Sequence, residues 1–348
     1  MTDRPDTKPR AARVAVGLSV AALLAPLLAM AQPPPPSSPA TPASDSSSIW
    51  TLQDENSSIS TSNLTDRYYT NGLRLGWTSG NTIVPDALQQ LGEALWGDGQ
   101  RRISFDLTQQ IYTPDDTSAI VPPHGDRPYA GLLLGNFGLT QDTGDRRTMV
   151  GLSLGLVGPG AGGETVQDWF HHLIGQGVDN GWGSQLRNEP VFEFYSEGTW
   201  RLNTGSIGPL ETDALPNLTV GLGTLRVYAE TGVTVRIGQG LDADFGVARL
   251  QPGLSGGDAF VPTRPFGWYF FLGVDAQGVA HDLLLDGNTW TKSVGVKHEP
   301  LVGEVQGGLA IFAFGTRLTY TQVVQTGEFR RQHGGLHQFG SLALSMRF

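Results

Sequence analysis

Apolar and polar residues alternate to the very end of this chain. Leu342, Leu344, Met346 and Phe348 occupy every second position, with Ala343, Ser345 and Arg347 between them. Period two belongs to a β-strand, whose successive side chains point to opposite faces. The same pattern recurs upstream. Leu73, Leu75 and Trp77 alternate with Arg74, Gly76 and Thr78. Val150, Leu152, Leu154 and Leu156 alternate with Gly151, Ser153 and Gly155, and Val233, Val235 and Ile237 with Thr234 and Arg236. Alternation alone fits a soluble β-sandwich as well as a membrane barrel. A last strand that ends on an aromatic favours the barrel, because outer-membrane barrels commonly finish this way, apolar face to lipid.

The N-terminal residues read as an export signal. Arg4, Lys8, Arg10 and Arg13 precede an apolar run over residues 14–28, and Ala29-Met30-Ala31 has the small-x-small form of a cleavage site. The reading is a signal peptide at 1–31, a disordered Pro- and Ser-rich leader at 32–47 and a barrel domain at 48–348. Beyond residue 31 no apolar run approaches the ~20 residues of a spanning helix. The formal net charge of −10 argues against nucleic acid as a partner. With no Cys, neither disulfides nor thiolate chemistry is available.

Twelve strands are expected, at roughly 48–56, 69–79, 101–113, 129–142, 146–157, 190–203, 216–224, 227–238, 267–278, 299–313, 315–327 and 337–348. An even count closes the barrel without edges and leaves both termini in the periplasm. Residues 84–96 are expected to be helical, on the periplasmic side. Trp50, Tyr69, Tyr112, Tyr129, Trp200, Trp268 and Tyr269 suit the aromatic girdles of such a barrel.

Polar residues collect where the outward strand ends converge. Strand 1 ends Asp54-Glu55-Asn56-Ser57, strand 2 begins TDRYYTNG (65–72), and strand 3 ends QQIYTPDD (109–116) before HGDRPYAG (124–131). The loop after strand 5, GPGAGGETVQDWFHHLIG (158–175), holds a short helix that Glu164 or Thr165 could cap. Gln167 and His171 are i and i+4 on one face of that helix, and His172 points elsewhere. Trp169, Phe170, Leu173 and Ile174 suit it to the barrel wall or to lipid. A histidine at a membrane surface suits general-base chemistry near neutral pH. An oxygen-rich cluster suits a hard cation.

These blocks, with GWGSQLRNEP (181–190), run in one order from about residue 48 to Phe348. Together they resemble the lipid A 3′-O-deacylases of the outer membrane, the LpxR family. The resemblance implies a twelve-stranded barrel that removes the 3′-acyloxyacyl group of lipid A with a histidine-activated water and a calcium ion. Residue by residue it implies His171 as the base, with Gln167, Asn56 and Thr70 beside it. Asn56, Ser57, Glu55 and Asp54 are the expected calcium neighbourhood, with Asp66 a further candidate ligand. An Asp that follows the strand-1 Asn in the family is Ser57 here. A Lys used by some members has no counterpart in 115–123, and an acidic residue after the histidine is Gly177 or a neighbour. The implied partners are lipopolysaccharide in the outer leaflet, outer-membrane lipids and the barrel-assembly machinery, with the chain a monomer.

Two other readings use the same residues. A phospholipase-type esterase would take Ser57 or Ser58 as nucleophile. A pore or structural barrel would use small inward residues such as Gly151, Gly155, Gly221 and Gly223 to leave an open lumen.

Overall fold

A computed structural model of the chain describes residues 44–60, 67–175, 177, 179–250 and 257–348. The expected signal peptide, most of the expected leader, and Asp66 lie outside them. The strands are β1 (Ile49–Asn56), β2 (Tyr68–Thr78), β3 (Gln100–Thr113), β4 (Ala130–Asp142), β5 (Arg146–Val157), β6 (Glu189–Trp200), β7 (Leu202–Ile207), β8 (Leu210–Gly223), β9 (Arg226–Gln239), β10 (Phe266–Asp282), β11 (Leu301–Ala313), β12 (Thr316–Gln325) and β13 (His337–Arg347). Each pairs antiparallel with its neighbours. The first closes on the last, with Trp50 opposite Met346 and Leu52 opposite Leu344.

The ring has twelve positions, because β6 and β7 are one strand broken at Arg201, both paired to β8. The sequence pattern missed the lower half of this hairpin. At the break the Arg201 backbone N–H donates to the Asp145 carbonyl, and its guanidinium lies over the Phe245 ring, 4.0 Å from its centroid, and donates to the Asp244 carbonyl. At the other end of the chain, the last residues of the expected leader are tied down. Asp45 accepts from Arg347 Nη2 at 2.8 Å and is paired with Arg102.

Outer and inner faces follow the alternation. On β1, Trp50 and Leu52 point outward, 45% and 61% exposed, while Thr51, Gln53 and Glu55 point inward and are buried. The lumen is packed. The described residues between β9 and β10, 240–250 and 257–265, enter it from the end opposite Asn56. Leu241 and Phe260 join Ile49, Tyr269 and Phe312 in an apolar cluster. Above that cluster lies a lattice of buried ion pairs. Arg74 pairs with Asp106 and Asp258, Arg236 with Asp213 and Asp244, Arg317 with Asp244 and Asp258, and Arg249 with Glu304. Charges this deep need partners, because an unpaired buried ion costs several kcal/mol.

Of the inward glycines, Gly151 and Gly221 make room for rings, and Gly155 and Gly223 lie against neighbouring backbone. A Cβ on Gly151 would stand 2.2 Å from the Tyr195 ring, and one on Gly221 2.2 Å from Tyr228. Four aromatics expected in the girdles are also inside the protein. Tyr69, Tyr112, Tyr129 and Tyr269 are at most 2% exposed. Period two assigns a face only when the register is known, and the register at these strand ends turns the rings into buried clusters rather than to lipid. Helix α1 (Asp86–Trp96) forms as expected between β2 and β3.

Candidate active site

The candidate residues lie on the outer wall of the barrel, under a helix. Helix α2 (Gly163–Ile174) begins after Gly162, whose φ of 71° is left-handed, with no side-chain cap from Glu164 or Thr165. Its first turn seats on the wall because two glycines allow it. A Cβ on Gly163 would stand 2.9 Å from the Gly131 Cα and 2.8 Å from the Trp182 ring. Val166 then packs on a buried cluster of Ile111, Tyr129 and Trp182, the last two with ring centroids 5.0 Å apart. That packing turns Gln167 and His171 inward, each 3% exposed, and leaves Trp169 65% exposed. His172 is exposed on another face, as the helical spacing predicts.

Hydrogen bonds define what each group presents. His171 Nδ1 lies 2.8 Å from the Gly177 carbonyl oxygen. A carbonyl only accepts, so Nδ1 carries the proton and the basic lone pair resides on Nε2. Gln167 Oε1 accepts from Trp182 Nε1–H at 2.9 Å. This fixes the amide orientation and leaves the Nε2 donors buried, without a partner among the described residues.

The neighbouring strand ends supply hydroxyls and amides. Tyr68 enters β2 with φ 68°, and Thr70 is the extra residue of a β-bulge. The bulge lets Tyr69 point into the lumen, where its hydroxyl donates to Glu55 Oε2 at 3.0 Å. Thr70 Oγ1 meets Thr113 Oγ1 at 2.7 Å, and Asn71 stands opposite both Asn56 and Ile111. Asn56 Oδ1 accepts from the Ser58 backbone N–H at 2.7 Å and hydroxyl at 2.5 Å, turning the chain out of β1. The structure therefore places Asn56, Ser57 and Thr70 on one side of the Ile111–Tyr129–Trp182 cluster, and Gln167 and His171 over it. Sequence reasoning missed Asn71, Thr113 and Trp182. Asn71-Gly72 reads as a turn but lies within β2.

The four residues expected around calcium do not form one ligand set. Asp54 and Glu55 are consecutive on a strand and face opposite sides of the wall. Glu55 is committed to the lumen, where Oε1 accepts from Leu250 N–H at 3.0 Å and Gln53 Nε2 at 3.1 Å. Asp54 Oδ1 accepts from Asn71 Nδ2 at 2.9 Å, and Ser57 Oγ donates to the Thr70 carbonyl at 3.4 Å. Among the described residues no three of His, Asp and Glu gather as metal ligands.

The sequence model of a family described as outer membrane protein LpxR matches residues 17–348. Among solved structures, LpxR from Salmonella typhimurium superposes with a TM-score of 0.72 at 21% identity, covering 86% of this chain and 100% of that one. The β domain of the Bordetella autotransporter BrkA gives 0.40 at 12% identity, over 88% of this chain and 99% of that one. No curated protein matches by sequence.

Proposed function

The chain belongs to the LpxR family of outer membrane proteins, and from that membership we propose that it is a lipid A deacylase acting through a water activated by His171. The observation that supports this reading is the contact of His171 Nδ1 with the Gly177 carbonyl, which assigns Nε2 as the nitrogen to act as base, on a helix packed against the outer wall. Nε2 takes a proton from water as its oxygen attacks the acyl carbon of the 3′-linked acyloxyacyl ester. The Gln167 Nε2 donors, oriented by Trp182, stabilise the oxyanion that forms. Collapse breaks the bond to the sugar oxygen, which takes the proton back from the imidazolium, releasing a free acid and a hydroxyl. Thr70 and Asn56 position the ester from the adjacent strand ends.

No step is routed through a cation, because the residues expected to hold calcium are divided between two faces of the wall. Nor does the geometry favour a serine nucleophile. The Ser58 and Ser57 hydroxyls donate to Asn56 Oδ1 and the Thr70 carbonyl. The proposed substrate is lipid A of lipopolysaccharide, drawn sideways from the outer leaflet, with the chain acting as a monomer. The barrel-assembly machinery is the proposed partner in biogenesis, reading the strand that ends at Phe348. Incubating the reconstituted protein with purified lipid A tests the activity. A product lighter by the 3′ acyloxyacyl group supports it, and unchanged lipid A in the presence of folded barrel refutes it.

A further inference from the structure

The lipid-facing wall has two very different apolar heights. On β3 the outward residues run Ile103, Phe105, Leu107 and then Gln109, with Arg101 below Ile103. On β10 they run from Phe266 through Trp268, Phe270, Leu272 and Val274 to Ala276, and on past Gly278 to Ala280, with Arg264 below Phe266. From Ile103 to Gln109 is ~20 Å along the strand, or ~15 Å along the membrane normal at a usual tilt of ~40°. From Phe266 to Ala280 is ~45 Å along the strand and ~35 Å along the normal. An apolar band of ~25 Å is the ordinary requirement, so β10 exceeds it and β3 falls short by ~10 Å.

The short band extends to the neighbours of β3. Asp54, Leu73 and Gln109 form one row across β1, β2 and β3, and Asn56, Asn71 and Ile111 form the row above. Below them lie Leu52, Leu75 and Leu107, 61%, 49% and 47% exposed. Asn71 Oδ1 and both amide atoms of Gln109 are buried in this wall with no hydrogen-bond partner among the described residues, and the half-buried Asp54, bonded to Asn71 Nδ2, is a carboxylate on the outward face of β1. In hydrocarbon each such group costs several kcal/mol.

We infer that the bilayer is locally thin against β1–β3, with the polar headgroup and ester layer lowered to the level of Asp54, Asn71 and Gln109. A lipid ester on this side reaches the wall directly beneath α2 without leaving the membrane. The choice of lipid ester as the group delivered rests on the proposed function, but the shape of the membrane does not.

The absence of Cys allows a direct test with single nitroxide labels at Leu73→Cys and Leu272→Cys. Leu73 shares the row of Gln109, six residues above Ile103, and Leu272 is six residues above Phe266. Both are outward and exposed, and neither belongs to the proposed machinery. The full mature barrel is reconstituted in phosphatidylcholine vesicles, folding is checked by heat-modifiable migration, and collision rates with oxygen and with a nickel chelate are measured. The expected result is several-fold greater access of the chelate at 73 than at 272. Equal, oxygen-dominated relaxation at both sites overturns the thin wall, whatever lipid A assays give. Unequal access with no lipid A turnover leaves the thin wall standing and removes the deacylase reading.

Discussion

The Nδ1 atom of His171 lies 2.8 Å from the carbonyl oxygen of Gly177. The Gly177 carbonyl is one of the groups that orient the imidazole. If Nε2 is the base, His171→Ala lowers turnover by ~10²–10⁴-fold with the barrel still folded. His172→Ala, on the exposed face of the same helix, changes it little. Equal and small effects of the two substitutions on lipid A deacylation would remove His171 from the chemistry.

In the proposed reaction the indole N–H of Trp182 acts through Gln167. Trp182→Phe keeps the packing against Tyr129 but deletes the donor that holds Gln167 Oε1. The expected loss is in kcat, ~10-fold, with KM nearly unchanged, and less than for Gln167→Leu, which removes the oxyanion donor itself at ~10²-fold or more. A change confined to KM would place Trp182 in lipid binding instead.

Much of this arrangement could be read in the residues alone. The i, i+4 pair Gln167 and His171 shares one helix face, and terminal dyads that end on the aromatic Phe348 favour a barrel over a sandwich. Glu55 shows where that reading stops. Its neighbours Asp54 and Asn56 suggest a shared site, but a strand sends Glu55 to the lumen. What it meets there, the Leu250 amide, is 195 residues away. The lumen filling was likewise hidden. Its signal was a connection of about two dozen residues, 240–265, at the end where barrels carry short turns, holding Asp244, Arg249 and Asp258 to match inward Arg236, Glu304 and Arg74.

A filled lumen conducts no ions. In planar bilayers the barrel is expected to give no stepwise conductance, and Asp258→Ala, which takes one of two carboxylate partners from Arg74 and from Arg317, is expected to destabilise the barrel by ~1–3 kcal/mol in urea. Steady channel openings from the unaltered chain would revive the pore reading.

Chelation addresses the divided donor set. With Glu55 bonded into the lumen and Asp54 to Asn71, thorough removal of divalent cations is expected to change turnover by less than about threefold. A loss of ten-fold or more, restored by calcium, would show that ligands come from residues other than Asp54, Glu55, Asn56 and Ser57 acting together.

Asp286 clamps the loop after β10. Burial alone would raise its pKa, but hydrogen bonds from His281, the Asp282 amide and His298 outweigh it and hold the carboxyl down from 3.8 to about 2. A carboxylate depressed in this way stabilises the fold above its ordinary pKa, and that contribution is lost as the pH falls through 3.8 towards 2. Proteolysis of this loop in Asp286→Asn is therefore expected to match the unaltered chain at pH 2 and to exceed it at pH 6. Equal rates at both pH values would mean the clamp does not hold the loop.

The most direct measurement is mass spectrometry of lipid A from Gram-negative cells expressing either the unaltered chain or His171→Ala, with both proteins shown to be folded in the outer membrane. The expected result is lipid A lighter by its 3′ acyloxyacyl group with the unaltered chain, and full-mass lipid A with His171→Ala. Full-mass lipid A in both, or the same mass loss in both, would contradict the assignment of a His171-driven deacylase.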